Sequence, residues 1–179
     1  MKVGQVIANP GGCLGLPVPA GVRGVVTAVG PHIFSAAQPM AGVRIENDHK
    51  AEWTELRPLG DVETVDPSRI IPQIKEAGIC GMGGACFPTH VKLTLPEGKH
   101  CDTVIDNGAE CETFLTADDR LMREQPQRIL DGLRAVLRAL NVKRGIVAIE
   151  DNKPEAFAAM QKAAAGREGI EILQLPTKY

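Results

Sequence analysis

Three short stretches bring together groups suited to binding a ligand. The first is Gly81-Met82-Gly83-Gly84-Ala85-Cys86-Phe87-Pro88-Thr89, with Lys92 three residues further on. Three glycines in four positions leave the backbone bare. Glycine also reaches positive φ at little cost, so consecutive N–H groups can turn toward one centre. Such a loop lies against a phosphate or a flat ring, or else is simply a tight turn. Phe87 adds a stacking face and Lys92 a positive charge. The second stretch, Asn107-Gly108-Ala109-Glu110-Cys111-Glu112, offers an amide that donates and accepts and two carboxylates that accept. The third is Glu150-Asp151-Asn152-Lys153. Together they suit a polar, planar, phosphorylated ligand. Each also has a plain structural reading. Asn107 can end a strand, Glu110 and Glu112 can be solvated loop charges, and Asp151 and Asn152 can cap a helix. His90 reads as a loop histidine rather than a base. No Ser/His/Asp or Cys/His motif is present, so hydrolytic chemistry has no support and no catalytic residue is assigned.

The elements that must hold these stretches fall into two regions. Residues 1–57 read as β. Val3–Ala8 is a short strand, Asn9-Pro10-Gly11-Gly12 a turn cluster, and Val22–Val29 a β-branched run ending at the breaker pair Gly30-Pro31. Ala41–Glu46 alternates apolar and polar. Short strands with Gly/Pro punctuation predict a small antiparallel barrel or sandwich over residues 1–60. Trp53, the single tryptophan, reads as a packing anchor. Residues 58–67 form a wet hinge of Pro58, Gly60 and Pro67 with Asp61, Glu63 and Asp66.

From residue 68 to 179 the pattern is α/β. Ser68 can cap a helix to about Ala77, with Gly78 as the stop. Thr103–Asn107 is a strand, and Asp118–Glu124 a helical turn or two. Residues 126–140 are the clearest helix. Pro126 suits its first position, and Ile129, Leu130, Leu133, Val136, Leu137 and Leu140 share one face. Gly145–Ile149 is a nearly all-apolar strand, as in a sheet covered on both faces. A helix from Pro154 to about Ala165 and a strand over Ile170–Leu173 complete βαβ units, a Rossmann-like, largely parallel sheet with right-handed crossovers. In such a sheet ligands sit beyond the carboxyl ends of the strands, where the second and third polar stretches fall.

Composition narrows the classes. The 179 residues are 44% hydrophobic but only 3% aromatic, so the core is aliphatic. A net charge of −2 argues against a nucleic-acid footprint and against a polybasic membrane surface. No apolar run approaches the roughly 20 residues of a membrane span, so direct membrane insertion is not expected. Five scattered cysteines include no C-x-x-C pair, which leaves no local iron–sulfur or zinc motif and predicts a reducing, cytoplasmic setting.

Four blocks in order carry a specific resemblance. Gly81–Leu93, then Asn107–Glu112 with Leu115–Met122, then Ile149–Ala156, then Leu175–Tyr179 are similar to the RnfC family, one of the subunits of the Rnf electron-transport complex. A more distant likeness is to the FMN- and NADH-binding flavoprotein subunit of respiratory complex I. The N-terminal strands resemble a biotinyl/lipoyl-type half-barrel, without the lysine that family modifies. The Rnf complex passes electrons between ferredoxin and NAD⁺ and couples this to ion translocation, and RnfC is its peripheral, NADH-facing member.

The resemblance implies a domain binding FMN and NADH. By position, Gly81, Gly83, Gly84 and Ala85 approach the FMN, and Lys92 meets its phosphate or ring edge. Asn107 and Glu110 bind the flavin from the next loop, and Asp151 and Asn152 stand where the complex I relative has further flavin contacts. Phe87 and Glu112 meet the nicotinamide cofactor. Implied partners are NAD(H), the other Rnf subunits and ferredoxin-like carriers, with the protein held at the cytoplasmic face of the membrane through them. Some positions depart from the pattern. Cys86 stands where the family usually has glycine, Thr113 where it has proline, and Ala109 where complex I has aspartate. The family continues past the position of Tyr179 into a Gly-rich segment that completes the site, a small β-grasp-type domain and a module with two 4Fe-4S clusters. The chain is therefore expected to be a piece of a longer protein. Two other readings remain: a related soluble protein passing electrons from NADH to a reductase, and a non-enzymatic docking module.

Overall fold

A computed structural model describes all residues except Cys13, Phe34–Ala37, Gly83, Cys111, Thr113 and Tyr179. The chain divides into two compact units, Met1–Pro58 with Pro72–Lys92, and Leu59–Ile71 with Leu93–Tyr179.

In the first unit, β1 (Val6–Ala8) pairs antiparallel with β2 (Val18–Pro19), and β3 (Gly24–Ile33) with β4 (Pro39–Asn47). These are two separate two-stranded ribbons. β3 does not stop at Gly30-Pro31, since Gly30 pairs with Gly42 and Pro31 with Ala41. A two-stranded ribbon is all edge, so the N–H that Pro31 lacks need not be missed by a neighbour. Val3 is stitched to the chain beyond β4: its N–H donates to the Glu52 carbonyl and its carbonyl accepts from Thr54. The Trp53 ring lies over Gly4, 3.3 Å from where a Cβ would stand, while 58% of the residue stays exposed.

Pro67–Arg69 is a 3₁₀ turn leading into α1 (Ile70–Glu76). The cap is Asp66, whose carboxylate accepts from the Ser68 N–H at 3.0 Å, so Ser68 is donor rather than cap. Gly78 follows at φ +69, and a Cβ there would stand 2.5 Å from the Pro17 carbonyl oxygen. Only glycine allows that approach. It ties the segment carrying the Gly-rich loop to the N-terminal strands, whereas the sequence pattern puts the loop at the head of the α/β region. After the loop comes α2 (Thr89–Leu93).

The second unit is a parallel sheet in the order β5 (Thr103–Asn107), β6 (Arg144–Glu150), β7 (Ile170–Leu175). α3 (Ala117–Glu124) and α4 (Pro126–Leu140) connect β5 to β6, and α5 (Pro154–Ala164) connects β6 to β7. Asn141 ends α4 in the left-handed region, its N–H donating to the Arg138 and Leu137 carbonyls. Leu130, Leu133 and Leu137 of α4, Ala156, Met160 and Ala163 of α5, and Met122 of α3 pack with Val147 and Ile149 of β6. At Gly145 a Cβ would lie 3.1 Å from Leu133 and from Leu137, so α4 sits directly on the strand.

These contacts all use one face of the sheet. Two right-handed crossovers stepping the same way along a sheet put their helices on the same side. The opposite face carries Ile105 and Leu173, 65% and 40% exposed. The expectation of helices on both faces is thereby corrected. β6 is apolar because it is the central strand, flanked on both sides.

Candidate functional site

The Gly-rich loop is pinched at its base. The Gly81 N–H donates to the Phe87 carbonyl at 2.8 Å and the Thr89 N–H to the Ile79 carbonyl at 3.1 Å, with Cys80 facing Pro88 in an antiparallel bridge. Gly84, at φ +100, leads into open space: a Cβ there would meet nothing within 4 Å. Cys86 takes φ +50, the left-handed region that favours glycine, and its thiol is exposed. The conformation accounts for the glycine usual at that position. Lys92 projects back over the loop. Its ammonium lies 6.0 Å from the centroid of the Phe87 ring, at the edge of cation–π range, and 3.4 Å from where a Cβ on Gly81 would stand. Gly81, Phe87 and Lys92 are thus brought together, with Ala85 exposed beside them. Gly83 lies outside the described residues. His90 is buried in α2, not placed on a loop.

In the second unit, the polar stretches lie at the carboxyl ends of β5 and β6. The exposed Asn107 turns its amide oxygen onto the Ala109 N–H at 3.1 Å, a local turn. Gly108 donates its N–H to the Ala148 carbonyl, and a Cβ there would stand 3.0 Å from that oxygen and 3.1 Å from the Met122 sulfur. Glycine is therefore required where the chain leaves β5. The Glu110 side chain is only 5% exposed. Its carboxylate accepts from the N–H groups of Asp118 and Asp119, at 3.0 and 3.4 Å, capping α3 from eight residues upstream. Lys153 pairs with it at 3.5 Å. Glu112 is exposed, its carbonyl accepting from Leu115. Asp151 and Asn152 are exposed at the turn before α5. The Asp151 carboxylate accepts the Thr177 hydroxyl at 2.7 Å and the Thr177 N–H at 3.0 Å, and these bonds hold its carboxyl below the usual aspartate range.

Two buried carboxylates at this edge escape a reading of the sequence. Asp106 is largely buried on the helix side of β5. Burial, and then the neighbouring Asp118, push its carboxyl above the usual range. Glu150 is buried at the end of β6, and its Oε2 has no hydrogen-bond partner among the described residues. An acidic residue closing an otherwise apolar strand is the signal in both cases, "Val-Ile-Asp" and "Ala-Ile-Glu". A cavity of about 170 Å³ elsewhere in this unit is lined by Glu63, Arg134, Arg138 and Lys143. It is a structural clamp: Arg134 pairs with Glu63, and Arg138 donates twice to the Val65 carbonyl. Among the described residues no group of three or more His, Cys, Asp or Glu is placed to hold a metal ion.

The loop has the features a phosphorylated flavin requires: bare backbone at Gly81, open space at Gly84, an ammonium and an aromatic face. Within the second unit, Glu150 offers a buried acceptor. The profile of the Nuo51 FMN-binding domain matches residues 74–179.

The chain belongs to the Nuo51 FMN-binding domain family. Within it, the chain is 39% identical over 178 residues to the RnfC relative in the Na⁺-translocating ferredoxin:NAD⁺ oxidoreductase complex of Acetobacterium woodii, a match covering 99% of this chain. It is 40% identical over 180 residues to the counterpart in the proton-translocating complex of Clostridium ljungdahlii, a match covering all of this chain. The resemblance to RnfC therefore holds along nearly the whole chain. The chain spans about 40% of the length of these relatives. Among solved structures, the NAD⁺-reducing [NiFe]-hydrogenase in the H₂-reduced state shares the fold, with a TM-score of 0.51 at 23% identity over 64% of this chain and 22% of that one.

Proposed function

We propose that the chain is the flavin-binding part of an NADH-linked electron-transfer subunit in an ion-translocating ferredoxin:NAD⁺ oxidoreductase complex. The observation that carries this is the match of residues 74–179 to the FMN-binding family, with a bare Gly-rich loop and Lys92 inside the matched segment.

FMN supplies a centre that takes two electrons from a nicotinamide and releases them one at a time. The residues of this chain bind and orient. Backbone at Gly81, Gly83, Gly84 and Ala85 lets a flat or phosphorylated group approach without side-chain bulk, and Lys92 answers the phosphate charge. Asn107 and Asn152 offer amides to the flavin's polar edge. Asp151 and Glu110 serve this set through the backbone they fasten. Phe87 and Glu112 are proposed for the nicotinamide cofactor, as a stacking face and a ribose acceptor. The parallel-sheet unit is read as Rossmann-like, and the N-terminal ribbons as part of a barrel-sandwich module, with the domain change at 60–68. The 4Fe-4S clusters that receive the electrons belong to the rest of the full-length protein. That protein meets the membrane through its partners; no described helix is long and apolar enough to cross one.

The test is anaerobic reduction of the FMN-loaded full-length protein by NADH. Bleaching of the flavin's visible band supports the reading. A flavin that stays oxidised at saturating NADH contradicts it.

A further inference from the structure

We infer that Glu110 is a positioning residue which, with Lys153, locks the two polar stretches at the carboxyl edge of the parallel sheet into one preformed wall. The inference rests on the flavin reading above and assigns Glu110 a different part in it. The family resemblance has Glu110 touching the flavin, but its carboxylate is otherwise engaged. One oxygen accepts the Asp118 N–H at 3.0 Å; the other accepts the Asp119 N–H at 3.4 Å and faces the Lys153 ammonium at 3.5 Å. The first pair of bonds closes residues 110–118 into a loop on the N-terminus of α3, where N–H groups lack partners within the helix and a negative charge is favoured.

The ion pair joins this loop to the turn after β6. Lys153 follows Asp151 and Asn152 directly, and its own N–H donates to the Glu150 carbonyl at 3.1 Å. The Glu110 side chain, 5% exposed, and that of Lys153, 17% exposed, are shielded from water, so each charge depends on the other. Removing one partner of a shielded pair leaves an uncompensated charge. Around the clasp, Asn107, Glu112, Asp151 and Asn152 remain exposed, where a ligand can reach them. The geometry separates two tasks: Glu110 and Lys153 hold the backbone, and the exposed side chains present to the flavin.

The test uses the full-length protein and two readouts. The first is amide hydrogen exchange at Asp118 and Asp119 with and without FMN. A positioning Glu110 keeps both amides protected when flavin binds. Loss of that protection on FMN binding would mean that the carboxylate turns to the flavin, and would overturn the inference. The second is FMN affinity in Glu110→Gln, Lys153→Met and the double variant, checked by circular dichroism for folding. Each single change is expected to weaken FMN about tenfold, the double change no more than the worse single, because both break one interaction. Wild-type affinity in the single variants, or additive losses in the double, overturns the proposal. A wild-type protein that binds no FMN defeats the flavin reading and this inference together, an outcome distinct from the other two.

Discussion

The Lys92 ammonium lies 3.4 Å from the point where a Cβ on Gly81 would stand. The absence of a side chain at Gly81 is what lets the lysine lie back over the loop toward the Phe87 ring. Alanine at this position makes ordinary van der Waals contact, but a branched side chain displaces the ammonium. Gly81→Val is therefore expected to weaken FMN binding at least tenfold, about the loss of one charge-assisted contact, while Gly81→Ala stays within about threefold. Fluorescence titration of FMN with the two variants measures this. Equal affinity in both would detach Lys92 from the flavin.

Cys86 at φ +50 bears conformational strain that glycine would not. Cys86→Gly is expected to leave the melting temperature unchanged or raise it, since relief of about 1 kcal/mol offsets the greater entropy of the unfolded chain. Cys86→Val puts a β-branched residue in the left-handed region and is expected to cost about 1–2 kcal/mol. Thermal unfolding of the two variants in parallel decides it. A valine variant as stable as the glycine one would show that the strain is absent in solution.

Asp106 gives a pH dependence whose sign follows from its raised carboxyl. A carboxyl that binds its proton more tightly folded than unfolded favours the fold in acid. That contribution is fully present below the unfolded aspartate range and is lost as pH rises through the folded value. At neutral pH the ionised form is disfavoured by burial and then by Asp118. Asp106→Asn should thus raise the melting temperature at pH 7, with the gain shrinking as the solution is acidified. A loss of stability at pH 7 would mean that the carboxylate makes an interaction its surroundings do not account for.

Thr177 and Asp151 provide a local test of the opposite sign. The Thr177 hydroxyl and N–H hold the Asp151 carboxyl below its ordinary range. Thr177→Val deletes the hydroxyl, and the Asp151 titration, followed by NMR, should move up toward the usual aspartate value. An unmoved titration would show that the backbone N–H alone sets it.

How much of the fold and site is legible in the sequence depends on sequence distance. α4 can be read residue by residue because its apolar face repeats at helical spacing and Pro126 and Asn141 mark its ends. β6 can be read because a central parallel strand is apolar throughout. The Gly-rich loop announces itself by composition. The conformation of Cys86 is set by the fold around the loop and has no sequence signature of its own. The Glu110 cap is hidden for a different reason. An N-cap is normally sought at the helix start, and here Thr116 occupies that position without a side-chain cap while the acceptor comes from eight residues before. Lys153 is equally hard to see, since its partner lies 43 residues away. Gly30-Pro31 misleads because a breaker pair stops a strand inside a sheet but not in a ribbon with free edges. The side on which the helices lie follows from strand order, which no local pattern encodes.

The most direct test of the account is a fluorescence titration of FMN with the full-length protein, wild type against Gly84→Val. Gly84 combines φ +100 with open space in the direction a side chain would take, so valine strains the loop and occupies the approach to it. The account predicts saturable quenching by the wild type and at least a tenfold weaker response from the variant, with both proteins folded by circular dichroism. Equal quenching by the two would place the flavin elsewhere and contradict the assignment of the Gly-rich loop.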